Sequence, residues 1–473
     1  PFFLGVFTSF SLPPYNFLVI NFITFPFLLF FLINNCYKSK WISFKIGWLF
    51  GFGYFVSNLY WITNALTFEE IFKPLIPFAL IIIPLFLGIF YGFVTLICSL
   101  FNLGKNFSTV LIFATIFSVI EFIRGFILGG FPWNLIVYSW TNYLSSVQIL
   151  SLIGTYSFNL ISITIFLLPY LIFFKKELKF KIFIVLFLLF ILISNSFYGY
   201  KKIENDEKLY TEFKDFKIKI ISPKISIDRF FQANNEGIII EELIELSKPN
   251  ISQNTIFVLP EGALAGVNLK KLQSFKEIFL KKFSEKHKII MGINTEKKKE
   301  NSYKIYNSLV VLDNKLNLIS EYNKIKLVPF GEFLPLENFF KKFGLKKIGY
   351  GYKSFSTGNE RKSISFGFGN FNFIPLICYE IIYSGKVSLL PDETNFIINI
   401  SEDGWFGESI GPHQHFSHTI FRAIEEGKNI IRSTNNGISA YIDSNGIIIS
   451  KLESTKRGVI EINNYKKFNE TLF

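Results

Sequence analysis

The chain has 473 residues, 50% of them hydrophobic and only 18% charged, with 60 Phe and a mean hydropathy of +0.36. A soluble domain carries roughly 25% charge, so this composition excludes a disordered chain and an evenly soluble one. Three Cys exclude a disulfide scaffold. The formal net charge of +13 would suit nucleic acid or an acidic membrane surface, and the placement of the charges decides between them.

From the N-terminus to about residue 200 the chain is nearly all apolar. Runs at 16–35, 46–65, 75–101, 108–128, 149–173 and 182–198 are each long enough for roughly 20 residues of spanning helix. The stretch 1–10 reads as the end of another, so about seven spans are expected. One set of connecting loops holds Lys38, Lys40, Lys45, Lys105, Lys175, Lys176, Lys179 and Lys181. The other set is almost free of basic residues: 12–15 and 133–146 have none, and Lys73 stands beside Glu69 and Glu70. Basic loops stay in the cytoplasm. With an odd number of spans, whatever follows the last one lies outside it. Much of the positive charge is then a topology signal, which argues against a nucleic-acid partner.

Beyond about residue 205, Lys-rich polar stretches alternate with short runs of Ile, Val and Phe at 217–221, 255–259, 288–292, 308–312, 372–378 and 395–400. Such runs read as buried strands. The stretches 235–247 and 268–286 read as amphipathic helices, and 351–353 as a turn. Runs 438–442 and 447–450 flank Asp443-Ser444-Asn445-Gly446, a hairpin signal. The expected organisation is a multi-span helical part over 1–200 and an α/β domain over 205–465, large enough for its own core. A closing C-terminal span is expected to be absent. The start without Met and the end at 470–473 read as a clipped sequence.

Three residues sit where a strand would deliver a reactive group. Cys378 ends the run Phe373-Ile374-Pro375-Leu376-Ile377, a place that suits a nucleophile. Taken alone, it reads more readily as a small buried hydrophobe. Glu261 follows Ile256-Phe257-Val258-Leu259-Pro260; a buried carboxylate there could act as a general base, and a surface Glu is the plainer account. Lys324, with Lys326 two residues on and facing the same side of a strand, could stabilise an oxyanion, although any single Lys of so many is more simply a surface charge.

Together the three form a Cys–Glu–Lys set, and the surrounding residues carry a resemblance. "PEG" at Glu261, "YNKIKLVPFGEFLP" from Tyr322 and "PLICYE" at Cys378 resemble the catalytic motifs of the nitrilase superfamily. The Leu-Val-Pro-Phe-Gly-Glu string and Cys-Tyr-Glu are similar to its membrane-embedded branch, the apolipoprotein N-acyltransferases. So are Asp403–Gly407 (DGWFG), Gly411–His415 (GPHQH), Arg432–Ala440 (RSTNNGISA), Glu121–Gly125 and Gly130–Trp133. The resemblance covers nearly the whole chain. It departs at Ser222-Pro223-Lys224, where a Gln-containing motif is expected, at Phe230-Phe231, where a Trp is expected, and at Glu402-Asp403 in place of Asn-Asp.

The resemblance implies a membrane α-helical bundle joined to a nitrilase-like αββα sandwich. It implies Glu261 as general base, Lys324 as oxyanion stabiliser and Cys378 as nucleophile. Glu332, Tyr379, Glu380 and Trp405 would orient the reacting groups or line the substrate site. The reaction implied is N-acylation of a diacylglyceryl-cysteine at a lipoprotein N-terminus, with the acyl chain taken from a phospholipid through a Cys thioester. It implies an inner-membrane location with the catalytic domain outside the cytoplasm. A thiolate beside Lys324 would be stabilised, lowering the thiol pKa. No cofactor is expected. His413, His415 and His418 lack the spacing of a zinc site and read as lining a helix near the site. Glu121 and Arg124 read as a helix ion pair, and Trp133 and Trp140 as an interfacial aromatic belt. A membrane-tethered carbon–nitrogen hydrolase using the same triad, and a transporter with an extracytoplasmic domain, remain open on the residues alone.

Overall fold

The computed structural model describes residues 1–174, 178–206, 210–231, 236–299, 302–335, 337, 354–366, 371–387, 394–467 and 471–473. Lys175, Lys176, Asn235, the turn at 351–353 and Glu470 lie outside them.

The first two hundred residues are helical. The principal helices are α1 (Phe2–Ser9), α2 (Asn21–Asn35), α3 (Lys40–Leu59), α4 (Ile76–Cys98), α5 (Phe107–Arg124), α6 (Leu150–Phe166) and α7 (Leu178–Asp206). Among the described residues, four helical stretches are long and apolar enough to cross a membrane: Leu18–Asn35, Glu70–Cys98, Phe107–Arg124 and Leu178–Asp206. The last has 29 residues, about 43 Å of helix against a hydrocarbon core of about 30 Å. Its Phe183, Phe187, Phe190 and Phe197 are all exposed, so this face presents rings outward, as a lipid-facing surface does and a soluble one does not.

The two charges buried in the bundle interior, Glu121 and Arg124, are paired. Arg124 lies 3.4 Å from Glu121, whose carboxylate also accepts from Tyr91 at 2.8 Å and Asn159 at 2.6 Å. The helix-pair reading of these two charges therefore holds. The aromatic-belt reading of Trp133 and Trp140 does not: both are buried, and the Trp133 indole N–H donates to Gln414 at 2.9 Å. An indole N–H inside protein needs a partner, and this one finds it on the α/β part.

Strands begin four residues after α7. They are β1 (Tyr210–Glu212), β2 (Lys217–Ser222), β3 (Thr255–Val258), β4 (His287–Lys299), β5 (Ser302–Leu312), β6 (Leu318–Asn323), β7 (Ile364–Ser365), β8 (Asn372–Ile377), β9 (Phe396–Glu402), β10 (Asn429–Asn435), β11 (Ser439–Ile442), β12 (Ile448–Leu452), β13 (Gly458–Ile462) and β14 (Asn464–Lys466). Among the described residues two six-stranded sheets result, ordered β13-β2-β3-β4-β5-β6 and β12-β11-β10-β9-β8-β7, and β1 pairs with β14. The expected hairpin is β11 against β12. The expected long helix at 268–286 is broken into the short pieces Leu269–Leu272, Gln273–Phe275 and Lys276–Leu280.

Side-chain alternation explains the layering. Ile256, Val258, Leu309 and Val311 enter the core between the sheets, while Phe257, Leu259, Val310 and Leu312 enter a second core under the helix Glu236–Ser247. Strands buried on both faces read as continuous apolar runs. The facing sheets are joined by Ser433, whose hydroxyl donates to the Ile221 carbonyl at 2.9 Å. The helix Gly411–Glu426 is almost wholly buried, packing against α6. The sandwich thus rests on the bundle through a helix layer.

Candidate active site

Three strand ends converge. β3 stops at Val258, and Leu259-Pro260 carry the chain to Glu261. Gly262 turns it with φ of +61°, a conformation glycine adopts without strain. Gly292 on β4 allows the close approach, since a Cβ there would lie 2.6 Å from the Glu261 Cα. Lys324 comes one residue after β6, its N–H bonded to the Asn307 carbonyl at 2.9 Å. Because the strand ends at Asn323, Lys324 and Lys326 do not share a sheet face: Lys324 is buried, and half-buried Lys326 lies over the Tyr383 ring at 5.6 Å. Cys378 follows β8 and opens the 3-10 helix Cys378–Ile382 with φ of +50°. Such backbone costs of order 1–3 kcal/mol in a non-glycine residue and makes the sharp strand-to-helix turn on which nucleophiles are presented.

The side chains meet. Lys324 Nζ lies 3.0 Å from Glu332 Oε1 and 3.4 Å from Glu261 Oε1. Asn307 Nδ2 lies 2.6 Å from that same Glu261 oxygen and 2.7 Å from the Glu332 oxygen. The backbone N–H of Glu402 donates to Glu261 Oε2 at 3.1 Å, and that of Val328 to Glu332 Oε2 at 2.8 Å. Every oxygen of both carboxylates is held, which fixes their orientation.

Burial raises the pKa of Glu261, Lys324 opposes this, and Glu332 adds to it. Burial works against the Lys324 charge, but Glu261, Glu332 and Cys378 outweigh it and hold the ammonium well above its usual value. The thiol departs from expectation. Burial first, and then Glu261, push Cys378 well above an ordinary thiol, and Lys324 offsets only part of this. The resting sulfur is therefore protonated. Glu261, a carboxylate of raised basicity, stands in the same cluster.

The remaining expected residues differ in kind. Glu380 accepts from Tyr322 Oη at 2.8 Å and from the N–H groups of Ile325, Lys326 and Ile377 at 3.0, 3.1 and 2.9 Å, and Arg361 lies 3.1 Å away. It pins the lysine-bearing segment to the end of β8. The Tyr379 and Tyr383 hydroxyls are 2.6 Å apart, and Tyr383 reaches the Gly130 carbonyl of the bundle at 3.0 Å. Trp405 is half-buried among Phe68, Phe230 and Phe231, with ring centroids 5.8, 5.5 and 6.2 Å away. It lies in an aromatic cluster shared by bundle and sandwich.

Sequence reasoning missed Asn307, which precedes the apolar run at 308–312. It also missed Arg229, which donates to the Gly262 carbonyl at 2.8 Å and pairs with Glu402, clamping the Glu261 turn. A polar residue directly before an apolar run was the available signal for the first. His415 Nδ1 lies 3.0 Å from Asp403 Oδ1, and Arg432 lies 2.9 Å from Asp403 Oδ2. His418 packs between Trp133 and Tyr138.

Residues 4–168 match the family described as apolipoprotein N-acyltransferase N-terminal domain, and residues 238–463 match carbon-nitrogen hydrolase. The apolipoprotein N-acyltransferase of Rickettsia prowazekii is 32% identical over 463 residues, covering 97% of this chain and 90% of its own. That of Agrobacterium fabrum is 30% identical over 475 residues, covering 97% and 88%. The chain belongs to the apolipoprotein N-acyltransferase family. As a member it is a membrane acyltransferase, in which a helical region precedes a carbon–nitrogen hydrolase domain. An amidase from Nesterenkonia sp., a solved structure, is similar over 54% of this chain and 92% of its own, at 12% identity and a TM-score of 0.37.

Proposed function

We propose that this acyltransferase moves a fatty acyl chain from a phospholipid to the α-amine of a diacylglyceryl-cysteine at a lipoprotein N-terminus, through a thioester on Cys378. The observation that carries the reading is the convergence of Glu261, Lys324 and Cys378 on one buried point in a chain whose bundle faces lipid. Sγ attacks the ester carbonyl as Glu261 accepts the thiol proton. Lys324 faces the developing oxyanion, where a fixed cation acts most strongly. The C–O bond breaks, Glu261 returns the proton to the leaving alkoxide, and lysophospholipid departs. The amine then attacks the thioester and a C–N bond forms. As the C–S bond breaks, Glu261 takes a proton from nitrogen and restores the thiol. Glu332 and Glu380 are positioning residues, and Trp405 with Tyr379 borders the substrate path.

The same reading places the bundle in a bacterial inner membrane with about seven spans and the sandwich outside the cytoplasm. In support, α3 begins at Lys40 and ends in a 3-10 turn, Tyr60–Leu66, from which Asn64 donates to the Phe406 carbonyl at 2.6 Å. The sandwich therefore contacts the lysine-poor ends of the helices.

Mass spectrometry of the purified protein incubated with phospholipid tests the chemistry. An acyl adduct on Cys378, absent in Cys378→Ser and discharged by a diacylglyceryl lipopeptide, is expected. Release of ammonia from small amides, without lipopeptide acylation, would instead indicate the hydrolase.

A further inference from the structure

Beside the reacting groups, at the seam between bundle and sandwich, two ammonium groups face an apolar rim. Lys326 follows Lys324 by two residues and lies over the Tyr383 ring at 5.6 Å. Lys386 is three residues beyond Tyr383, and its Nζ stands 4.1 Å from the Phe126 ring centroid. Tyr383 ties the two together, because its hydroxyl bonds the Gly129 and Gly130 carbonyls just after Phe126. Burial and then Lys326 lower the pKa of Lys386, as a like charge nearby requires. Among the described residues neither ammonium has a carboxylate within ion-pair distance. Glu380, on the same segment as Lys386, spends its oxygens on Tyr322, Arg361 and three backbone N–H groups.

The rim is the outer end of α5. Phe126, Ile127 and Leu128 are exposed, Leu128 at 75%, and exposed Phe330 adjoins them through Pro329, whose ring lies near Gly129. Two unpaired cations over aromatic faces, bordered by exposed apolar side chains at a helix end, match the layering of a lipid interface: acyl chains against Phe126 to Leu128, and an anionic group against the lysines.

Resting on the acyl-transfer reading, we infer that Lys326 and Lys386 form a subsite for the phosphate of the glycerophospholipid donor. The site distinguishes the two lipids of the reaction. The donor carries a phosphate separated from its ester carbonyls by only the glycerol carbons, so a phosphate at Lys326 brings an ester toward Cys378, close to Lys324. The diacylglyceryl acceptor carries no phosphate and does not use the pair. Lysine suits the task, since a compact ammonium reads a phosphate as a point charge without demanding one headgroup.

The test is the rate of Cys378 acylation in the full-length protein in detergent, for wild type and the double variant Lys326→Gln/Lys386→Gln. Two donors are compared: phosphatidylglycerol and an uncharged p-nitrophenyl ester of the same acyl chain. The expected result is a loss of tenfold or more with phosphatidylglycerol and an unchanged rate with the neutral ester. Lys326→Arg/Lys386→Arg is expected to recover most of the phospholipid rate, and discharge of the preformed thioester by lipopeptide is expected to be unaffected. An unchanged rate with both donors, or an equal loss with both, overturns the subsite. Competition by micromolar glycerol phosphate would assign the lysines to a soluble phosphate and overturn the lipid reading. A wild-type protein acylated by neither donor overturns acyl transfer itself, and the subsite with it.

Discussion

Asn307 holds Glu261: its amide nitrogen lies 2.6 Å from the carboxylate oxygen that also faces Lys324. The same nitrogen lies 2.7 Å from Glu332. This neutral donor and the Lys324 ammonium bridge the same two carboxylate oxygens and together hold the buried acids in register.

Replacing Asn307 by Leu removes this donor while keeping the volume. Preorganised donors of this kind contribute about 10²–10³ in rate, and a loss of that order in Cys378 acylation is expected. The pH profile separates this effect from simple damage. Asn307 favours the charged form of Glu261, so its loss raises the Glu261 pKa further. In wild type the rate falls as pH drops through the raised Glu261 value, above the ordinary carboxylate range. In Asn307→Leu that acid limb moves to still higher pH. Single-turnover acylation across pH measures it, and an unmoved limb contradicts the role.

Glu380→Gln turns an acceptor into a donor opposite at least one of the N–H groups of Ile377, Ile325 and Lys326. Lys324 then shifts relative to Cys378. A misplacement near 1 Å costs about 10² in rate, so kcat is expected to fall by that factor with KM little changed. A rise in KM alone would point to substrate binding instead.

Asp403 links acidity to stability. Burial would raise its pKa, but His415 and Arg432 pull it down to about 2. A depressed carboxylate contributes stability above its unfolded value of about 3.9, and this is lost as pH falls toward about 2. Asp403→Asn leaves Arg432 buried without its partner, a loss of about 3–5 kcal/mol. Thermal unfolding in detergent at pH 7 should show it, and the gap from wild type should narrow as pH falls through that window.

Glu425 joins the domains. It accepts from Ser384 at 2.9 Å and from the Thr155 N–H at 2.5 Å on α6, and pairs with Arg422 at 2.8 Å. Glu425→Ala leaves a buried guanidinium unpaired at the seam, at a cost of about 3–5 kcal/mol. Faster proteolytic separation of sandwich from bundle is expected. Unchanged proteolysis would show that the seam is held by packing alone.

Composition and periodicity were enough to separate an apolar helical part from an α/β part, because burial against lipid and burial between sheets leave different repeats in the chain. Strand-end placement and local motifs were enough to single out Glu261, Lys324 and Cys378. What they could not supply was the environment of each group. The thiol pKa goes up where proximity to a lysine suggested down, because burial and Glu261 outweigh Lys324. Trp133 binds Gln414 rather than an interface. Asn307, Arg229 and the lysine pair at the seam acquire meaning only from residues distant in sequence. Hydrophobic pattern is local and survives in one dimension; electrostatics and hydrogen bonding depend on distances that exist only once the sheets and the bundle have closed on one another.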